Sequence, residues 1–262
     1  MSSRSPDLPP PLPEVFLKAP IAHRGLHDRS AGIIENSRGA AEAAIAAGYG
    51  IELDVQASMD GEAMVFHDDE MQRLTGLSGL IRDYTAEALA RTTLTGGTDT
   101  IPTLADFLAL VAGRAPLLIE VKDQDGMLGE GVGPLEARVA ALLAGYDGPV
   151  ALMSFNPHSV AALAEAAPRI ARGLTSCDFE REDMALPDYR LAELTNLADF
   201  DRVGASFISH HHRDLANPAV TRLAARGVPV LCWTIRSPAE EAAARRVARN
   251  ITFEGYPAAI PH

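Results

Sequence analysis

Residues 51–69 read IELDVQASMDGEAMVFHDD, and the alternation in this stretch decides how the chain around it folds. Over 51–56 apolar and polar residues alternate as on a strand, so Glu52 and Asp54 share one side while Ile51, Leu53 and Val55 share the other. Met59-Asp60-Gly61 supplies turn chemistry, residues 63–66 read as a returning strand, and the hairpin carries His67 back toward the carboxylates. Two neighbouring carboxylates in an apolar strand cost free energy unless a cation or a proton neutralises them. An isolated E-x-D is most simply a solvated edge. Here the strongly apolar flanks and the returning histidine favour a functional pair that holds a metal.

On both sides of the hairpin, strand and helix alternate. A strand over 20–23 leads into Arg24-Gly25, Asn36 is the expected N-cap of an alanine-rich helix over 37–47, and Gly48 closes that helix. A loop with Thr75, Gly76 and Gly79 follows the hairpin. Thr103 caps a helix whose Leu104, Phe107, Leu108 and Val111 share one face. Further strands are expected at 117–121, 150–154, 170–174, 203–208, 228–234 and 251–253. Asn156-Pro157, Asn217-Pro218 and Ser237-Pro238 each set a capping residue before a first-turn proline, and Ser237 with Glu240 makes a capping box.

Counting the strands at Ile21 and Ile51 gives eight, with residues 63–67 as a small hairpin extension after the second. Eight strands alternating with helices indicate a TIM (β/α)8 barrel; a doubly wound sheet is the competitor. The barrel is preferred because His23-Arg24, Glu52-Asp54, Glu120-Lys122, Ser154-Phe155 and Trp233-Thr234 all fall at strand C-terminal ends, where such barrels carry their chemistry.

The chain has 262 residues, nearly half of them apolar, and no linker divides it, so residues 20–262 are expected to form one barrel domain behind a Pro-rich strap at 1–19. Pro6 to Pro13 reads as an extended lead into the first strand. A formal net charge of −12 argues against a nucleic-acid partner. Cys177 and Cys232 have no metal-type spacing and no disulfide framework is expected. No signal pattern or membrane-length apolar run is present, which implies a soluble, cytoplasmic protein without stable membrane insertion.

Within LLIEVK at 117–122, Glu120 and Lys122 share a face. Lys18 and Lys122 are the only lysines among 23 basic residues, so a lysine at a strand end suggests an ammonium held for phosphate oxygen, the plain alternative being an ion pair with Glu120. Glu52, Asp54 and Glu120 form an all-oxygen set suited to Mg²⁺ or Ca²⁺, with Mn²⁺ possible, rather than zinc. His23 lacks the H-x-H partner of a zinc barrel and is better placed for acid–base work. The run His210-His211-His212 resembles a metal site, but consecutive residues cannot all face one ion from a strand, so it reads as a loop at a strand end. Met64 reads as core.

The ordered motifs IAHRG at 21–25, ENS at 35–37, IELDV at 51–55, DG at 60–61, VFHD at 65–68, IPTL at 101–104, IEVK at 119–122, SFNP at 154–157 and CWTI at 232–235 resemble the glycerophosphodiester phosphodiesterase family. The resemblance implies a TIM barrel that hydrolyses a small-molecule glycerophosphodiester to glycerol 3-phosphate and an alcohol. It implies His23 and His67 as catalytic residues, Glu52, Asp54 and Glu120 as ligands of a divalent cation, and Arg24 and Lys122 as the phosphate-holding cations. Phe155 and Trp233 match pocket walls, and Glu35 and Asn36 supporting positions. Alternatives are a lysophospholipase D or lyase acting on a lysophospholipid, disfavoured because no basic amphipathic segment is present, and a non-catalytic phosphodiester-binding barrel. Three features depart from the family: Ile34 before Glu35, the ITFEGYP ending around Glu254, and a glycine-rich stretch between Lys122 and Pro134 that looks like a mobile loop over the site.

Overall fold

The computed structural model describes residues 8–179 and 186–261. Its strands are β1 (Ile21–Ala22), β2 (Gly50–Ala57), β3 (Ala63–Val65), β4 (Leu117–Val121), β5 (Val150–Ser154), β6 (Ala171–Ser176), β7 (Phe207–His211), β8 (Val230–Ile235) and β9 (Asn250–Phe253). All except β3 pair in parallel with their neighbours, and β1 pairs with both β2 and β9, which closes an eight-stranded barrel. β3 is the antiparallel arm of the hairpin, with Val55 opposite Val65 and Ala57 opposite Ala63.

The alternation in β2 resolves into two buried environments. Ile51, Leu53 and Val55 pack outward against the helical layer with Ala41, Ala44, Leu104 and Phe107, while Glu52 and Asp54 point into the barrel. The lower barrel is apolar: Ile21, Leu118, Ala151, Phe207 and Leu231 meet Leu12 and Phe16 from the N-terminal segment. Part of the segment expected as an extended strap is thus a plug. Glu14–Leu17 turns as a 3-10 helix, Phe16 is buried, and Asn250 Nδ2 donates to the carbonyls of Phe16 and Ala19, each at 2.7 Å. Residues 1–7 of that strap lie outside the described residues.

Side-chain caps start the helices at Thr103, Asn156, Asn217 and Ser237 as expected. Several expectations shift. The cap of the helix Arg38–Ala47 is Ser37, whose hydroxyl accepts from Ala40 N–H, and Asn36 is released for another task. The Ser237–Glu240 box is half formed, because the Glu240 carboxylate accepts from Arg236 N–H instead of that of Ser237. The seventh strand begins at Phe207: Gly204 takes a φ of 59°, and Ala205 N–H returns to the Phe200 carbonyl, so the chain is still turning at 203–204, where the strand is expected to start. The same shift corrects the histidine run. His210 and His211 complete β7, and His210 is fully buried between Ser176 Oγ at 2.8 Å and Asp214 Oδ2 at 3.1 Å. Two hydrogen-bond partners let a histidine occupy a strand position that its polarity argues against.

Residues 66–103, where the sequence suggests only a loop, carry a second small core. Met64, Phe66, Met71, Leu74, Leu89, Leu94 and Ile101 bury against one another and Ile34. The helices involved, Gln72–Thr75 and Ala86–Ala90, are too short to show a periodic stripe. This insert stands beside the C-terminal mouth of the barrel.

Candidate active site

The turn after β1 is built to aim backbone at the acidic centre. Arg24 lies in the left-handed region with φ 55°, and its N–H donates to Glu52 Oε2 at 2.9 Å. Gly25 follows with φ 79°, and a Cβ there would come within 2.8 Å of the Ala40 Cβ, so only glycine completes the turn. Asn36, also at positive φ, bonds through its N–H to the Arg24 carbonyl and through Nδ2 to Asp54 Oδ2 at 2.9 Å.

Glu52, Asp54 and Glu120 bring carboxylate oxygens within 4.8 Å of one another, and all three residues are buried. Lys122 Nζ stands 2.8 Å from Glu120 Oε1 and 3.6 Å from Asp54 Oδ1, and Arg24 Nε lies 3.5 Å from Asp54 Oδ2. Burial, then the charges of Asp54 and Glu120, push the Glu52 carboxyl well above the usual carboxylate range. Burial acts the same way on Asp54, but Lys122, His67 and Arg24 outweigh it and lower its pKa to about 2. A trio in which one member is driven to hold a proton fits an oxygen-ligated divalent cation, which would remove that cost. Burial also opposes the Lys122 ammonium, yet Glu120 and Asp54 raise its pKa above the ordinary value and keep it charged.

Two histidines flank this centre in one cavity of about 140 Å³, whose walls include Phe155 and Trp233. Their rings meet edge to face with centroids 5.5 Å apart, and Trp233 Nε1 donates to the Ser209 carbonyl at 3.0 Å. His23 Nδ1 is 2.5 Å from Glu254 Oε2, and burial lowers the pKa of His23 more than that carboxylate raises it. His67 Nδ1 is 2.8 Å from Asp68 Oδ1. The Arg73 guanidinium grips Asp68 with Nε at 2.6 Å and Glu35 with Nη1 at 2.8 Å, and Glu35 Oε1 also accepts from Arg24 Nη1 at 2.6 Å. Glu35 therefore binds two arginines and stands outside the clustered carboxylates of the centre.

A cleft of about 840 Å³ continues from His67 and Lys122 between the insert and residues 122–126. The glycine-rich segment at its edge is braced, unlike the loose loop its composition suggests. Asp123 accepts from the N–H groups of Gly126 and Leu128, Asp125 from those of Gly129 and Gly131, and Asn156 ties Asp123 to the Gly129 carbonyl.

All eleven residues expected at the site from sequence lie in or against this cavity or its supports. Four further contributors went unassigned: Glu254, Asp68, Arg73 and Arg236. Asp68 directly follows His67, so adjacency was an available signal. Glu254 falls in the ending that departs from the family, but its partner His23 is 231 residues away, and Arg73 and Arg236 reach Glu35 and Glu254 across 38 and 18 residues.

Fold and site together define a parallel (β/α)8 barrel with an acidic, histidine-flanked centre at its C-terminal mouth. Residues 23–251 match the glycerophosphoryl diester phosphodiesterase family, and the chain belongs to it. A glycerophosphodiester phosphodiesterase of Bacillus altitudinis is 38% identical over 109 residues, 39% of this chain and 43% of that one, so that match spans under half the relative's length. Bacillus subtilis YhdW is 26% identical over 248 residues, covering 90% of this chain and 94% of its own. Among solved structures, an Oleispira antarctica phosphodiesterase in complex with the product sn-glycerol-3-phosphate superposes with a TM-score of 0.74 at 24% identity, covering 92% of this chain and 94% of that one. Among the described residues no helix is long and apolar enough to cross a membrane.

Proposed function

We propose that this chain hydrolyses small glycerophosphodiesters to glycerol 3-phosphate and an alcohol, with His23 and His67 as the proton-transfer pair and a divalent cation held by Glu52, Asp54 and Glu120. The observation that carries the reading is convergence: both histidines, three carboxylates, Arg24 and Lys122 line one cavity. The cation, Mg²⁺, Ca²⁺ or Mn²⁺, would supply charge neutralisation at the phosphate oxygens. Arg24 and Lys122 add two fixed positive charges for an anion whose negative charge grows as the attacking oxygen adds to phosphorus. One histidine takes the proton of the attacking hydroxyl. The other gives a proton to the leaving alkoxide as the P–O bond breaks, since that alkoxide is a poor leaving group when unprotonated. The attacking hydroxyl is water or the glycerol hydroxyl next to the phosphate, the second route giving a cyclic phosphate that water then opens. Phe155, just after β5, and Trp233, in β8, supply aromatic walls to the same cavity.

His23→Ala and His67→Ala test the assignment. Each is expected to keep the wild-type circular dichroism spectrum while kcat falls about 10²- to 10⁴-fold. Near wild-type turnover in both variants would refute the pair.

A further inference from the structure

His23 reaches its cavity from a two-residue strand, and a short strand does not by itself fix a ring about its side-chain torsions. The fixing group is on the neighbouring strand end. Glu254 follows β9, and its Oε2 lies 2.5 Å from His23 Nδ1. Its other oxygen, Oε1, accepts from Arg236 Nε at 2.8 Å, and Arg236 follows β8. His27, in the turn after β1, places Nε2 at 3.6 Å from Oε2. The carboxylate is thus held by two hydrogen bonds, with the His27 ring close by but beyond hydrogen-bond reach. Burial opposes its charge, but His23, His27 and Arg236 outweigh burial and hold the Glu254 carboxyl below the usual range. An ionised carboxylate only accepts hydrogen bonds, so the hydrogen between the two groups belongs to His23 Nδ1.

His23, His27 and Glu254 also have ligand atoms within 4.8 Å of one another, a spacing that could suggest a second metal. The contact distance speaks against it. Two ligands on one tetrahedral ion stand roughly 3.3 Å apart at ordinary metal–nitrogen lengths, whereas Nδ1 and Oε2 are in hydrogen-bond contact at 2.5 Å.

We propose that Glu254, clamped by Arg236, is a positioning residue that fixes the orientation and tautomer of His23, keeping the hydrogen on Nδ1 and the lone pair on Nε2 for proton transfer. The role rests on the phosphodiesterase reading for its catalytic consequence, but not for its structural content. Removing the carboxylate frees the ring to rotate and lets the two neutral tautomers mix, so fewer molecules present an acceptor in the right place. Binding of the phosphate by Arg24 and Lys122 is untouched.

The test is Glu254→Gln in the full chain, read in two ways. With glycerophosphocholine as substrate, kcat is expected to fall 10- to 100-fold while KM stays within twofold, and formate added to Glu254→Ala is expected to restore part of the loss where chloride at the same ionic strength does not. In ¹⁵N NMR, with His23 assigned by its loss in His23→Asn, the wild-type ring is expected as the Nδ1–H tautomer and the Glu254→Gln ring as a mixture. An unchanged kcat in Glu254→Gln, or a wild-type ring carrying hydrogen on Nε2, overturns the proposal. The wild-type spectrum suffices if the variants do not fold. A folded wild type that shows the Nδ1–H tautomer, and loses it in Glu254→Gln, without turning over any glycerophosphodiester supports the positioning role and sinks the phosphodiesterase reading instead.

Discussion

The two histidines are supported alike and anchored differently. Each presents Nδ1 to a carboxylate, and each carboxylate is gripped by an arginine: Glu254 and Arg236 beside His23, Asp68 and Arg73 beside His67. The His23 group is made wholly from strand ends of the barrel. The His67 group is made from the insert, and its side chain is 31% exposed against 13% for His23. One of the two histidines proposed for proton transfer therefore belongs to the closed sheet and the other to a separately packed lobe. The lobe is held to the barrel mouth through Arg73, which spans Asp68 on its own side and Glu35 on the barrel side. That arginine joins the two halves of the site, because Glu35 also carries Arg24.

Breaking this junction should have the largest effect. Arg73→Gln is expected to lower kcat/KM about 10- to 100-fold with little loss of global stability, since a displacement near 1 Å at a reacting group costs on that order. Steady-state kinetics beside thermal unfolding would check it, and a drop in melting temperature with unchanged kinetics would reverse the assignment. A smaller effect on turnover should come from loosening the lobe itself, whose readout is stability. Leu89→Ala, in the lobe core, is expected to cost about 2–5 kcal/mol of lobe stability, with amide exchange rising across residues 66–103 before it rises in β4 to β9. Uniform exchange across both regions would show that lobe and barrel unfold as one unit and would erase the distinction.

The smallest effect is a pH dependence. Burial raises the Glu35 carboxyl, but Arg73 and Arg24 outweigh it and lower its pKa from 4.5 to about 2. A depressed folded-state value means that its stabilisation is complete above the unfolded value and is lost as pH falls through about 2. Glu35→Gln is therefore expected to flatten the stability decline below pH 4.5, measured as urea midpoints down to the acid limit. A decline equally steep in both proteins would remove Glu35 from the junction.

The same contrast explains what could be read from sequence. The barrel is legible because its strands alternate with capped helices, and because Glu52, Asp54 and Glu120 each sit directly between apolar residues in a strand pattern. Local chemistry carried Thr103, Asn156 and Ser237 to their caps. Legibility failed where a partner decides. Asn36 resembles a cap until Asp54 is seen to use it, and His210 resembles loop until Ser176 and Asp214 satisfy it. Short helices such as Gln72–Thr75 present no period, so the sequence of the lobe that holds His67 reads as loop. Glu254 lies 231 residues from the ring it contacts, a separation that no local pattern spans.

The most direct measurement is release of glycerol 3-phosphate from glycerophosphocholine and glycerophosphoethanolamine, first with EDTA and then with Mg²⁺, Ca²⁺ or Mn²⁺ restored. Release that stops with EDTA and returns with one of these cations is the predicted result. Undiminished release in EDTA, or none with any cation from folded protein, would contradict a phosphodiesterase centred on Glu52, Asp54 and Glu120.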